Sequence, residues 1–266
     1  MHSRCSALIG TPSHPPIHLR CPACQQYSVP PLPPIERQTT PVELSPAARS
    51  APTRLFFGGS FDPPHLGHVA LPQRIAKHLD HAHIVYVPAA RSPFKAAAPA
   101  PDQDRIELLT IALDGMDNAS IWTQEIADAP LNPDQPSYWA DTWASIAKLN
   151  LPGTNRFLIG ADQARSMHRW RRYTEFWRDA IVMLRDDAAS PATLIDQLRS
   201  LDAWTPSELD HWRSIIVPVP MIDCSSTSIR TALSNPDTRP HPIQGLDPRV
   251  QQAIIKRNLY LNRSSD

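Results

Sequence analysis

Residues 57–68 read FGGSFDPPHLGH, and 3 of the chain's 8 glycines fall within them, beside His65 and His68. A simple turn needs less constraint than this, so the stretch implies that something approaches the main chain. Gly58 and Gly59 would let a bulky ligand lie close to the backbone. Asp62, Pro63 and Pro64 stiffen the turn, with Asp62 accepting N–H groups inside it. His65 and His68, three positions apart, share one face of a first helical turn. That end of a helix carries positive dipole and unpaired N–H donors, which suits phosphate. Imidazole can donate to phosphate oxygens while neutral or charged. The stretch contains neither G-x-G-x-x-G nor G-x-x-x-x-G-K-[ST]. Two other uses stay open: a metal pair, for which Asp62 is the only local third ligand, and a buried histidine pair, which leaves the glycines unexplained.

A second constellation lies at CSSTSIR, residues 224–230. Ser225, Ser226 and Thr227 offer hydroxyls and N–H groups where a helix starts, and Arg230 follows one turn later. Such a set converges on a polyphosphate. Taken alone it is also a serine cap with a solvent arginine. A third stretch, RSMHRWRRY, mixes arginines with aromatics and by itself could be a nucleic-acid patch. The chain carries 26 basic and 26 acidic residues, a formal net charge of zero. No general grip on nucleic acid or an anionic membrane is written into that balance. A local wall attracting anionic substrates is the simpler account.

These residues need a scaffold. RLFFG reads as a buried strand feeding the glycines, and LGHVALPQRIAKHLD has helical spacing, with Pro72 able to shorten or kink it. HIVYVPA, ASIWTQE, NRFLIG, AIVMLRD and SIIVPVP are further strand candidates. Helices are expected over DRIELLTIALDG, SYWADTWASIAKL, ADQARSMHRW, SSTSIRTALS and DPRVQQAIIKRNLY. Strands too apolar to have a wet face, alternating with helices, predict one doubly wound α/β domain with a parallel sheet over residues 53–266. Ligands bind such sheets beyond the carboxyl ends of the strands, where the glycine-rich stretch would sit. Residues 1–52 hold 11 of the 30 prolines and one glycine, with no apolar period, and read as a flexible tail. Within it CPAC, 21–24, has zinc-knuckle spacing, but further ligands (Cys5, His14, His18) are irregularly spaced, so no metal site is expected. Four cysteines make no disulfide framework in a chain of 266 residues. With no long apolar run and no secretory leader, the expected compartment is the cytoplasm.

GGSFDPPHLGH resembles the H-x-G-H motif of the nucleotidyltransferase superfamily that shares a Rossmann-like fold with class I aminoacyl-tRNA synthetases. CSSTSIR resembles the superfamily's I-S-S-T-x-I-R, with Cys224 in place of isoleucine. IGADQARSMHRW (159–170) and PSYWADTW (136–143) resemble elements of the bacterial nicotinate-nucleotide adenylyltransferases. Together these matches span residues 54 to about 260. The resemblance implies adenylyl transfer from ATP to nicotinate mononucleotide, giving deamido-NAD and pyrophosphate. It implies that Mg²⁺ arrives on the ATP phosphates. On it, His65, His68 and Arg230 face the phosphates, with Ser225, Ser226 and Thr227 beside them. Gly58, Gly59, Ser60 and Phe61 border the reacting groups, and Gly160 and Asp162 resemble the nucleotide-ribose site. Trp170 matches a tryptophan that stacks on the pyridine ring, with a core tryptophan as its alternative. Tyr138, Trp139 and Arg171 fall on the acceptor side; Trp139 stands where the family usually has threonine, which bears on acid-over-amide selectivity. Lys95, on a loop after the second strand, is a basic substrate contact or a solvated lysine. The alternatives are another acceptor, nicotinamide mononucleotide or pantetheine phosphate, and a nucleotide-binding regulator without catalysis. Oligomeric state is not legible in the sequence.

Overall fold

The protein was studied as a computed structural model, which describes residues 42–91, 100–131, 135–184 and 190–261. Six strands form one sheet: β1 (Thr53–Gly59), β2 (His83–Pro88), β3 (Ala119–Ile121), β4 (Thr154–Gly160), β5 (Ala180–Leu184) and β6 (Ile216–Pro218). Every pairing is parallel, in the order β3-β2-β1-β4-β5-β6. The expected doubly wound sheet is therefore present. All six residues of β2 and all five of β5 are buried, as apolar runs in a sheet covered on both faces must be.

The chain winds outward from β1 to β3, then starts again at β4 and winds the other way. β1 and β4 pair only from Thr53↔Thr154 to Phe56↔Phe157. Both strands continue, to Gly59 and Gly160, so their ends part and open a crevice at the reversal point.

Among the described residues, ten α-helices connect and flank the strands: α1 (Pro46–Ser50), α2 (Leu66–His78), α3 (Asp102–Leu113), α4 (Gln124–Asp128), α5 (Trp139–Lys148), α6 (Ala161–Ser166), α7 (Pro191–Arg199), α8 (Pro206–Ile215), α9 (Ser226–Ser234) and α10 (Pro248–Lys256). Side-chain caps begin several of them: Ser190 on α7, Thr205 with Glu208 on α8, Ser225 on α9 and Asp247 on α10. The main core lies along the sheet. A smaller core of Leu108, Ile229, Leu233, Leu246, Val250 and Ile254 joins α3, α9 and α10. Among the described residues, no helix is long and apolar enough to cross a membrane.

α2 runs on through Pro72 to His78. The proline has no N–H, so the carbonyl of His68 loses its helical donor. Tyr86 Oη, from β2, donates to that carbonyl at 3.0 Å instead.

Residues 42–52, assigned to the tail on composition, belong to the folded body. Leu44 and Ala48 are buried, and Trp122 Nε1 donates to the Val42 carbonyl at 2.8 Å. The Arg54 guanidinium is fully buried and donates to the carbonyls of Ala48, Ala51 and Pro152, with Nε on Asn155. Burial pushes its pKa down. One short helix with proline at its start carries too few apolar positions to stand out from a proline-rich sequence. The helices α7 and α8, for which no expectation was formed, bridge β5 to β6.

Candidate active site

The crevice widens into a cleft of about 940 Å³ lined by the ends of β1 and β4 and the starts of α2, α5 and α6. Gly58, Gly59 and Ser60 lie on its wall. A Cβ at Gly58 would meet Trp139 Cζ3 at 2.9 Å, so glycine is what lets the indole lie against β1. Past Ser60 the chain turns through Phe61, at φ 48°, and a cis peptide between Asp62 and Pro63. The Phe61 ring, expected to border ATP, is instead turned into the core, edge-on to His68 at 5.1 Å.

His65 caps α2, and its Nδ1 accepts from the Gly67 N–H at 3.1 Å. His68 Nδ1 accepts from the His65 N–H at 3.3 Å. A neutral imidazole whose Nδ1 accepts carries its proton on Nε2, so both rings have Nε2–H as donor. The rings stack at 3.7 Å; His68 lines the cleft and His65 is buried against it.

The second constellation comes to the same place. Ser226 Oγ donates to the Pro63 carbonyl at 3.0 Å, and Arg230 Nη1 donates to the Asp62 carbonyl at 2.7 Å. Cys224 Sγ lies 3.3 Å from His65 Nδ1. Thus α9 presents its N-terminus, with the first-turn N–H groups that a helix leaves unpaired, beside the histidines. The Ser225 hydroxyl, expected to meet ATP, accepts from the Ser228 N–H at 3.1 Å and is committed to capping. Thr227 Oγ1 accepts from Arg230 Nη2 at 3.4 Å.

On the β4 side, Gly160 ends the strand and its N–H donates to Gln163 Oε1 at 2.9 Å, while Asp162 lines the cleft. Trp170 lines it too, half-buried, with Nε1 donating to Ser166 Oγ at 3.3 Å and its ring packed on the main core. Its ring therefore faces the core on one side and the cleft on the other. Tyr138 and Trp139 complete the wall from the start of α5. The Arg171 guanidinium lies 5.4 Å from the Tyr138 ring centre and 3.4 Å from Asp141, which also takes Arg172 at 2.7 Å. Lys95 lies outside the described residues.

Three residues of this region, Arg105, Tyr260 and Glu125, went unread in the sequence, while Arg169 belongs to the arginine-rich stretch read as a wall for anionic substrates. Arg105, fully buried on α3, donates to the carbonyls of Ser60, Ala89 and Ala100 and to Asp102, binding the ends of β1 and β2 together. Tyr260 Oη donates to Asp62 Oδ1 at 2.8 Å, and Asp62 Oδ1 also accepts from the Ala100 N–H. Arg169 lines the cleft beside Trp170. Glu125 lines it from α4; burial pushes its pKa from 4.5 up to about 7, against the pull of Thr142 and Ser137 hydroxyls. Arg105 and Tyr260 act over long sequence separations, which no local pattern signals. Glu125 looks like an ordinary surface charge in sequence.

Imidazole, guanidinium, hydroxyl and helix-end N–H donors thus gather around the turn that follows β1, and aromatic rings line the cleft beside it. The first set suits phosphates and the second a flat base. Among the described residues, no group of three or more His, Cys, Asp or Glu is placed to hold a metal ion.

A family profile described as Cytidylyltransferase-like matches residues 56–232. A Yersinia enterocolitica protein named "Probable nicotinate-nucleotide adenylyltransferase" is 28% identical over 225 residues, covering 79% of this chain and 97% of the relative. One of the same name from Neisseria gonorrhoeae is 28% identical, covering 77% and 96%. Among solved structures, Plasmodium falciparum nicotinic acid mononucleotide adenylyltransferase complexed with NaAD has a TM-score of 0.54 at 17% identity, over 78% of this chain and 97% of that one. The same enzyme complexed with APC gives 0.56, over 78% and 96%.

Proposed function

The chain belongs to the cytidylyltransferase-like family, and from that premise we propose that it transfers the adenylyl group of ATP to nicotinate mononucleotide. The products are deamido-NAD and pyrophosphate, a step of NAD biosynthesis. The observation that carries this reading is the meeting of two distant motifs. Arg230 and Ser226, from α9, bond to the carbonyls of Asp62 and Pro63, next to the stacked His65 and His68.

A phosphate oxygen of the mononucleotide attacks the α-phosphorus of ATP. A bond to that phosphorus forms, the α–β bridging bond breaks, and its electron pair leaves with pyrophosphate. The attacking oxygen is already anionic, so no general base is required. What the protein contributes is alignment of two anions and neutralisation of charge moving onto the leaving group. His65 and His68 serve at the α- and β-phosphates through Nε2–H. Ser226, Thr227 and Arg230 serve at the β- and γ-phosphates, Gly160 and Asp162 at the ribose. Trp170 stacks on the pyridine ring, with Tyr138, Trp139 and Arg171 on the acceptor side. Mg²⁺ would be carried by the ATP phosphates, where it would neutralise charge, because the groups around the histidines are N–H and hydroxyl donors suited to oxygen anions rather than to a hard cation.

Pyrophosphate release with ATP and a panel of acceptors tests the proposal. Nicotinate mononucleotide should give the highest kcat/KM. Turnover of nicotinamide mononucleotide or phosphopantetheine in its place would overturn it.

A further inference from the structure

Glu125 has no task in the phosphate chemistry, yet it stands in the wall of the cleft. Thr142 Oγ1, on α5, donates to its Oε1 at 2.6 Å. The Ser137 hydroxyl also donates to it, just before α5 begins. These partners bracket Tyr138 and Trp139, the cleft-lining residues at the start of α5. A carboxyl tied to both ends of that segment fixes where its rings and N–H groups stand.

We infer that Glu125 positions the acceptor half of the cleft, and that losing its proton weakens the hold on an anionic acceptor. The acceptor named here rests on the adenylyl-transfer reading above. The neutral acid keeps both hydroxyl contacts without adding charge. The carboxylate sets a negative group in the wall that receives a phosphate and, for nicotinate, a second carboxylate. The charged groups acting on it are few. Asp128, on its own helix, opposes ionisation, and Arg105, from α3, favours it. β2 brings Tyr86, whose hydroxyl is given to the His68 carbonyl, and α5 brings Asp141, held by Arg171 and Arg172. Burial outweighs the rest and brings the titration to about 7, within the working range of an enzyme.

Two measurements on the full chain, wild type beside Glu125→Gln, decide it. Glutamine keeps an acceptor for Thr142 and Ser137 and cannot ionise. With ATP saturating, KM for nicotinate mononucleotide is followed from about pH 6 to 9. Above pH 7 the wild-type KM should climb, by up to about tenfold per pH unit, while that of the variant stays level. The acceptor's own phosphate titrates near 6 and affects both proteins alike. KM for ATP and kcat should follow the same course in the two. Superimposable acceptor KM profiles would overturn the inference. Thermal melts without substrate provide the second arm: the variant should gain on the wild type as pH rises from about 4.5 to about 7 and the difference should level off above that, and a constant difference at every pH also overturns it. If nicotinate mononucleotide is not turned over at any pH, the adenylyl-transfer reading falls, and the melts still decide whether this carboxyl titrates in place.

Discussion

At His68, Nδ1 accepts from the His65 N–H, and in the proposed reaction Nε2–H is the donor toward charge building on the leaving phosphates. Such a donor contributes most while charge is moving, so His68→Ala should lower kcat about 10²-fold or more and change KM for ATP little. Steady-state rates with ATP varied check this; near-normal turnover would remove His68 from the mechanism. Trp170 makes a different demand, because its ring is half-buried, on the core from one side and in the cleft from the other. Stacking adds about 0.5–1.5 kcal/mol to area burial, so Trp170→Ala should raise KM for nicotinate mononucleotide about tenfold while sparing KM for ATP. A purely structural tryptophan would instead cost about 3–5 kcal/mol and raise both KM values together. Kinetics with each substrate varied, beside a melt, separate the two.

The element that carries His68 has a defect built into it, and β2 repairs it. Pro72 leaves the His68 carbonyl without a helical donor, and the Tyr86 hydroxyl takes the vacancy. Tyr86→Phe should cost about 1–3 kcal/mol, the usual penalty for a buried carbonyl left unpaired. Pro72→Ala restores an N–H at that point, so adding it to Tyr86→Phe should recover much of the loss in a chemical-denaturation cycle. If the double variant is no more stable than Tyr86→Phe, the repair is not what the tyrosine does. This pairing also marks how far the sequence could be read. The strands β1, β2, β4 and β5 were legible because buried parallel strands are continuous apolar runs, and the two phosphate motifs because their donors are clustered along the chain. Side-chain commitments were not legible. That Phe61 would turn into the core depends on where the loop bends, and the cap made by Ser225 was legible only as one of two readings of its stretch. Arg105 and Glu125 act by virtue of burial, which a charged residue in an amphipathic stretch does not announce.

Over the whole molecule, the N-terminal limit of the fold lies about ten residues earlier than composition suggested. Removing residues 1–41 should leave the melt and turnover unchanged. Removing residues 1–51 takes away Leu44 and Ala48 and three carbonyl acceptors of the buried Arg54 guanidinium. That should cost a few kcal/mol, about 1–3 for the stranded donors and a similar amount for lost burial. Equal melts for the two truncations would return residues 42–51 to the tail. The other end of the chain has a tighter bond to function. Tyr260 reaches back to Asp62, inside the turn that Arg230 also grips, and burial beside that carboxylate pushes its phenol well above the ordinary range, so it stays a donor. Every strand and ten helices are complete before it. A stop codon in place of Tyr260 would therefore leave the described strands and helices intact, while the turn carrying its two histidines loses one of its ties. In genetic terms, a late truncation that an annotator would score as harmless should here behave as a loss of function.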